Sequence, residues 1–507
     1  MRTPTPSIHQ SNAHSLIYYP HLADAPDIRI FTMPEIPEPV LRFGWGVFSI
    51  IAAAAAFIAI GIPIGPIVML GGLAALLFAF AYPYIAFAFL VALIPLSGIS
   101  VSIPLRSTGF AERAFGGSID LPLVDVVAVV LLATWALKVV FLYVRRGDVN
   151  WAPRFPLALP AIALIGACAL SALSPMHPDK LLVLKYALRP IAFVYLAFVL
   201  LTVNFIRSPR RLRMALGAVM GMGVFAALVG LASFAVPHAG GLRAVPLPIF
   251  GRSVLGENHN LLAEWLCFSS LATVALAVLS RERKTVRLLV YAAALQVLVA
   301  LLTFARTAWI VLAFEAACLA ATVWREETKR YAASVIIALL FLLPVAAVMA
   351  KFSSSALVAS STSTRLMLSE IAVNLWSQSP IVGAGAGTFV SYVSKTLVFA
   401  IEFGDALDSH GFLQKMLAET GLVGLAAIGF YIVAVFRIVR RELNDFHRHG
   451  PAWRAMMILA IAAAGAFVYQ LFNTDYWSGK LWFPLGILIA SVASLSSHRI
   501  VRDPEEE

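Results

Sequence analysis

Fourteen apolar runs, each of about 17 to 25 residues, recur along this chain, and no other feature limits its fold so tightly. They fall approximately at 44–61, 64–82, 84–103, 121–143, 156–174, 182–206, 214–236, 260–280, 288–304, 307–324, 331–350, 421–437, 453–472 and 481–497. A helix rises about 1.5 Å per residue, so runs of this length cross a hydrocarbon core about 30 Å thick. They also satisfy their own backbone groups where water cannot. With 60% hydrophobic and 13% charged residues, the composition lies outside that of soluble domains. The expectation is an all-α polytopic membrane protein with about 14 transmembrane helices and one large periplasmic loop containing short helices. Very short links within 44–61/64–82 and 288–304/307–324 allow either pair to be one re-entrant or broken element, which sets the lower bound at 12.

The net charge of +11 could suggest nucleic acid, but its placement argues against that partner. Arg207, Arg210, Arg211 and Arg213 share one loop, and Arg281, Arg283, Lys284 and Arg287 a second. Arg325, Lys329 and Arg330 share a third, while Arg437, Arg440, Arg441, Arg448 and Arg454 flank a fourth. All four fall on one side of the alternating spans, and excess Lys and Arg mark the cytoplasm. Both termini are therefore expected on the cytoplasmic side. The predicted division is a cytosolic tail at 1–43, eleven spans within 44–350, a periplasmic loop at 351–420, three spans within 421–497 and a cytosolic tail at 498–507. Residues 1–40 lack the charged start, apolar core and small-residue cleavage site of a signal peptide. Cys168, Cys267 and Cys318 lie in predicted spans and read as small packing residues.

The loop at 351–420 is the longest polar interruption of the chain, and it lacks the inward basic bias. Between Arg365 and Trp376, Leu368, Ile371, Ala372 and Leu375 recur at helical spacing, and Pro380 ends the pattern. Gly383, Gly385 and Gly387 follow without the strand and spacing of a nucleotide-binding loop, so a tight turn toward the membrane is expected. His410 is read as the start of the next helical segment, with Asp408 or Ser409 as its cap. A histidine at such a position, outside the membrane and beside carboxylates, can take a proton from an attacking hydroxyl.

Cations gather on the same outward side. Lys185 and Arg189 share a helix face near the outer end of the sixth span, where they form a cationic clamp or snorkel to headgroups. Arg306, at a turn between two apolar runs, either anchors the interface beside Trp309 or presents a planar fork to phosphate oxygens. The loop 238–259 adds Arg243 and Arg252, just before Asn260. Glu264 and Glu315, inside spans, read as partners of neighbouring helices. Together the cations suggest an amphiphile with a phosphorylated head and a lipid tail.

Four ordered motifs resemble the O-antigen ligase and Wzy polymerase superfamily. They are Asn260-Leu261-Leu262-Ala263; Phe304-Ala305-Arg306-Thr307-Ala308-Trp309; Arg365 through the turn at Pro380-Ile381-Val382-Gly383-Ala384-Gly385; and His410 leading into Glu419-Thr420-Gly421-Leu422-Val423-Gly424. The similarity covers roughly residues 240 to 440, with His410-Gly411 where the family pattern has His-Asn. The resemblance implies an inverting, metal-independent glycosyltransferase working at the periplasmic face. Its donor would be an undecaprenyl-diphosphate-linked glycan, and its acceptor a glycan or lipid A-core. Arg306 and Arg365 would hold the diphosphate and His410 would act as base. Lys185, Arg189, Arg243, Arg252, Asn260 and Glu419 complete the candidate substrate-binding set. No metal or other cofactor is expected; membrane lipids and a chain-length regulator are the further partners. A repeat-unit polymerase for surface polysaccharide is the first reading, and a ligase is the alternative. A transporter of lipid-linked oligosaccharide is the rival class, since Gly61-Ile62-Pro63 and Gly65-Pro66 could break a helix.

Overall fold

The computed structural model describes residues 74–75, 77–96, 98–104, 118–144, 153–176, 180, 183–184, 192–236, 243–249, 253–256, 258–330, 356–404, 406–445, 450–473 and 479–500. It is nearly all helical. The spans expected at 44–61 and 331–350, and most of 64–82, lie outside the described residues, as do Lys185, Arg189 and Arg252.

The labelled helices are α1 (Pro83–Leu93), α2 (Leu123–Lys138), α3 (Ala158–Leu170), α4 (Pro209–Ala232), α5 (His259–Val278), α6 (Arg283–Leu302), α7 (Arg306–Ala321), α8 (Ala356–Gln378), α9 (Phe412–Asp445), α10 (Pro451–Gln470) and α11 (Gly479–Ile500). Among the described residues, six helical stretches are long and apolar enough to cross a membrane: Leu123–Phe141, Pro209–Ala235, His259–Val278, Arg283–Leu302, Phe412–Asn444 and Pro451–Gln470. They coincide with six of the expected spans, so the chain is a multi-pass membrane protein.

One departure from the all-α expectation lies between α1 and α2. Strands β1 (Ser100–Pro104) and β2 (Ser118–Pro122) pair antiparallel, Ser100 with Pro122 and Val101 with Leu121. The apolar run expected to stay helical to residue 103 leaves the helix near Leu93, and β-branched Val101, Ile103 and Ile119 suit the strands that replace it.

The centre of the bundle is α5, packed by α4, α6 and α10. Its start is capped by Asn258, whose Oδ1 accepts from the backbone N–H groups of Asn260 (3.0 Å) and Leu261 (3.2 Å). Deeper in, Ser269 Oγ donates to Gln296 Oε1 of α6 at 2.7 Å and Gln296 Nε2 donates to Thr273 Oγ1 at 3.3 Å. Such bonds tie helices together where hydrophobic burial gives no drive for association. Glu264 is likewise bonded across helices, accepting from Gln470 Nε2 of α10. Glu315 of α7 lies against α10, where a Cβ built on Gly465 would come within 2.2 Å of its Oε1.

The link within 288–304/307–324 is two helices joined by a tight hairpin. Thr303 closes α6, and Phe304 takes a left-handed φ of 55°, unusual for a bulky residue. The hairpin holds because Thr303 Oγ1 accepts from Ala305 N at 3.2 Å and Trp309 Nε1 donates to Leu301 O at 3.2 Å.

The stretch 356–419 has its own small core of Leu368, Ala372, Leu375, Ala384, Phe389, Val393, Phe399 and Ala418. Three of the four residues at the predicted helical spacing are in it, with Ile371 packed at its edge. The helices of this stretch are not all short, because α8 runs for 23 residues.

Candidate functional site

Three glycines and one carboxylate fix the end of the bundle where the candidate residues lie. The turn after α8 folds back on α9, with Ala384 N donating to Ala418 O (2.8 Å), Gly385 N to Glu419 O (2.9 Å) and Leu422 N to Pro380 O (2.9 Å). Gly421 kinks α9 with φ 62° and ψ −156°, freeing those carbonyls. A Cβ on Gly383 would stand 2.3 Å from Glu419 C, and one on Gly421 would stand 2.4 Å from Ile381 O. Only glycine permits this approach at these positive φ values. Glu419 then closes the turn from within: Oε2 accepts from Gly387 N at 2.9 Å and Oε1 from Phe389 N at 3.1 Å.

Against this frame stands a group of cations. Arg365 lies on α8, Arg306 opens α7 at the hairpin, and Arg243 precedes Ala244, whose N–H donates to Leu302 O at 2.8 Å. Arg306 acts electrostatically on Arg365, and both Arg243 and Arg365 act on His259. Burial first, and the Arg306 charge second, hold the Arg365 guanidinium below its ordinary pKa range. It stays charged at neutral pH, since a guanidinium starts far above it. Among the described residues none of the three arginines has an ion-pair partner, and the buried Nε of Arg365 has no hydrogen-bond acceptor. Leaving such a donor unmet costs about 1 to 3 kcal/mol or more, which an anion would recover.

His410 is in the same field. It precedes α9, which begins at Phe412, so the helix does not start at the histidine as expected. Asp408 caps nothing on α9; its Oδ1 accepts from Ser409 N (2.8 Å) and its Oδ2 from Lys415 Nζ (2.5 Å). Lys415, almost fully buried, also lies 4.0 Å from Glu419 Oε1. Burial, then Arg365, lower the His410 pKa, and Asp408 opposes them. The result is a neutral imidazole near pH 7, free to accept a proton. At Gly411 a Cβ would meet Gln414 Oε1 at 2.6 Å and Leu471 O at 3.3 Å. The space that a side chain would need there is already filled.

The structure thus brings together Arg243, Arg306, Arg365 and His410. Asn260 joins them through its backbone carbonyl, which accepts from Tyr469 Oη at 2.7 Å, and Tyr469 is in turn within the influence of Arg365. Glu419, expected in the substrate-binding set, has both carboxylate oxygens on backbone amides inside the turn. Sequence reasoning gave no role to His259, Tyr469 or Asn473, whose buried Nδ2 has no partner among the described residues. The Asn258-His259-Asn260 run hinted at the first; Tyr469 lies in the last turn of the apolar helix α10 and Asn473 just after it.

These features define a multi-pass membrane protein with an arginine and histidine cluster at one end of its bundle. Residues 291–429, which include Arg306, Arg365 and His410, match the family model described as O-Antigen ligase (Wzy_C). That segment is thereby similar to the O-antigen ligase and Wzy superfamily, whose members are membrane glycosyltransferases of ligase or polymerase type. No curated relative matches the chain.

Proposed function

We propose that the protein transfers a glycan from an undecaprenyl-diphosphate carrier to a sugar hydroxyl at the periplasmic face of the inner membrane, with inversion and without a metal. The observation that carries this reading is the Arg365 guanidinium, half-withdrawn from water beside Arg306 and His410 with its Nε unmet. Arg306 and Arg365 hold the diphosphate, with Arg243 near them. The acceptor oxygen attacks the anomeric carbon as His410 takes its proton. The bond from that carbon to the diphosphate oxygen breaks, and undecaprenyl diphosphate leaves with its new charge facing the arginines. Removing one such charge stabiliser costs about 3 to 4 kcal/mol in the barrier, and a positioned base contributes about 10² to 10⁴ in rate.

A repeat-unit polymerase of surface polysaccharide remains the first reading. The ligase reading, delivery of finished glycan to lipid A-core, is favoured by the description of the matching family. Product analysis of a deletion strain separates them. Single-repeat glycan on the acceptor marks a lost polymerase, whereas bare acceptor with accumulated lipid-linked polymer marks a lost ligase. Glycosidic bond formation by purified protein in detergent, with no gradient, excludes a pure transporter.

A further inference from the structure

Far from the arginine and histidine cluster, two cavities meet between α7, α9, α10 and α11. One, of about 510 Å³, has Arg325 and Arg440 at its mouth; the other, of about 270 Å³, is apolar and reaches Tyr431 and Trp482. Phe436, Val439 and Ala460 line both, so the two adjoin. The polar end is remote from His410, on the order of 40 Å along α9 at 1.5 Å per residue. The acidic residues nearby are engaged elsewhere: Glu326, which lines the mouth, pairs with Lys329 at 3.1 Å, and Glu327 lies 3.5 Å from Arg454. Arg325 and Arg440 have no ion-pair partner among the described residues. At the apolar end Tyr431, in edge contact with Trp482 at 5.3 Å, is 1% exposed, and its hydroxyl has no hydrogen-bond partner among the described residues.

We propose that the adjoining cavities are a site for an anionic glycerophospholipid, its phosphate between Arg325 and Arg440 and one acyl chain running past Ala460 toward Tyr431. Charge complementarity selects the head, because two unpaired guanidiniums at a membrane rim attract an anionic phosphate and gain little from a zwitterionic one. The adjoining apolar cavity selects a chain attached to that head. The donor carrier is disfavoured as occupant, since Arg306, proposed for its diphosphate, lies at the other end of α7.

Delipidated full-length protein in detergent is offered dioleoyl phosphatidylglycerol or dioleoyl phosphatidylcholine, and retention is read by native mass spectrometry and thermal unfolding. Phosphatidylglycerol is expected to stay bound one to one and to raise the unfolding midpoint, as any native-state ligand does. Phosphatidylcholine is expected to do neither. Arg325→Gln with Arg440→Gln should cut retention about tenfold or more. Ala460→Phe, which narrows the joint and leaves both charges, should do the same, while Arg283→Gln with Arg287→Gln should change nothing. Equal retention of the two lipids, undiminished binding by the arginine variant, or displacement of phosphatidylglycerol by undecaprenyl phosphate would overturn the proposal.

Discussion

Glu419 and Arg365 belong to the same polar stretch, and each is a charge drawn away from water, yet they stand in opposite conditions. Glu419 has a backbone N–H on each oxygen and a lysine ammonium 4.0 Å away. Arg365 has another arginine for a neighbour and a buried donor with nothing to meet it. One charge is matched by the fold; the other has no counter-charge among the described residues. Residue type and burial alone would have classed both as site residues, and the hydrogen-bond inventory separates them.

The contrast can be broken first at Glu419. Glu419→Ala strips Gly387 N and Phe389 N of their acceptor and leaves Lys415 its ion pair with Asp408, and removing one side of a buried charge network costs about 3 to 5 kcal/mol. A lowered unfolding midpoint and rapid proteolysis between residues 379 and 411 are expected; a variant as stable as the parent would mean that the turn does not depend on this carboxylate. Arg365→Ala should behave inversely. Its stability should hold or rise as repulsion from Arg306 is relieved, while glycan transfer falls about 10² to 10³. Unfolding scans beside transfer assays on one preparation read both effects.

A smaller effect concerns pH. Because burial and Arg365 depress the His410 pKa, the acid limb of kcat/KM is expected below the ordinary histidine range, near 6.5. Asp408 opposes that depression, so Asp408→Asn should move the limb to still lower pH. A limb that stays in place or climbs would detach His410 from the titrating step.

Much of the bundle was legible in the sequence because hydropathy alone marks segments such as 260–280 and 453–472. Leu368, Ala372 and Leu375 announced α8 by spacing. Arg306, Arg365 and His410 could be named through their resemblance to a family, but their convergence depends on tertiary packing, α8 against α9 and α7 against α10, which no local pattern encodes. The part Glu419 plays in the turn was hidden because its partners are backbone amides some thirty residues upstream, and amides leave no trace in residue identity. The strand pair at 100–122 was hidden for a related reason, since an apolar β-branched run satisfies helix and strand alike.

The central claim is that Arg365 binds the leaving diphosphate and His410 activates the acceptor. Donor affinity and turnover measured together on purified wild-type, Arg365→Ala and His410→Ala protein, with synthetic undecaprenyl-diphosphate-linked glycan, test it directly. Arg365→Ala is expected to weaken donor binding about tenfold or more. His410→Ala is expected to bind donor as the wild type does and to transfer nothing measurable. Normal turnover by a stably folded His410→Ala protein, or unaltered donor affinity in Arg365→Ala, would rule these roles out.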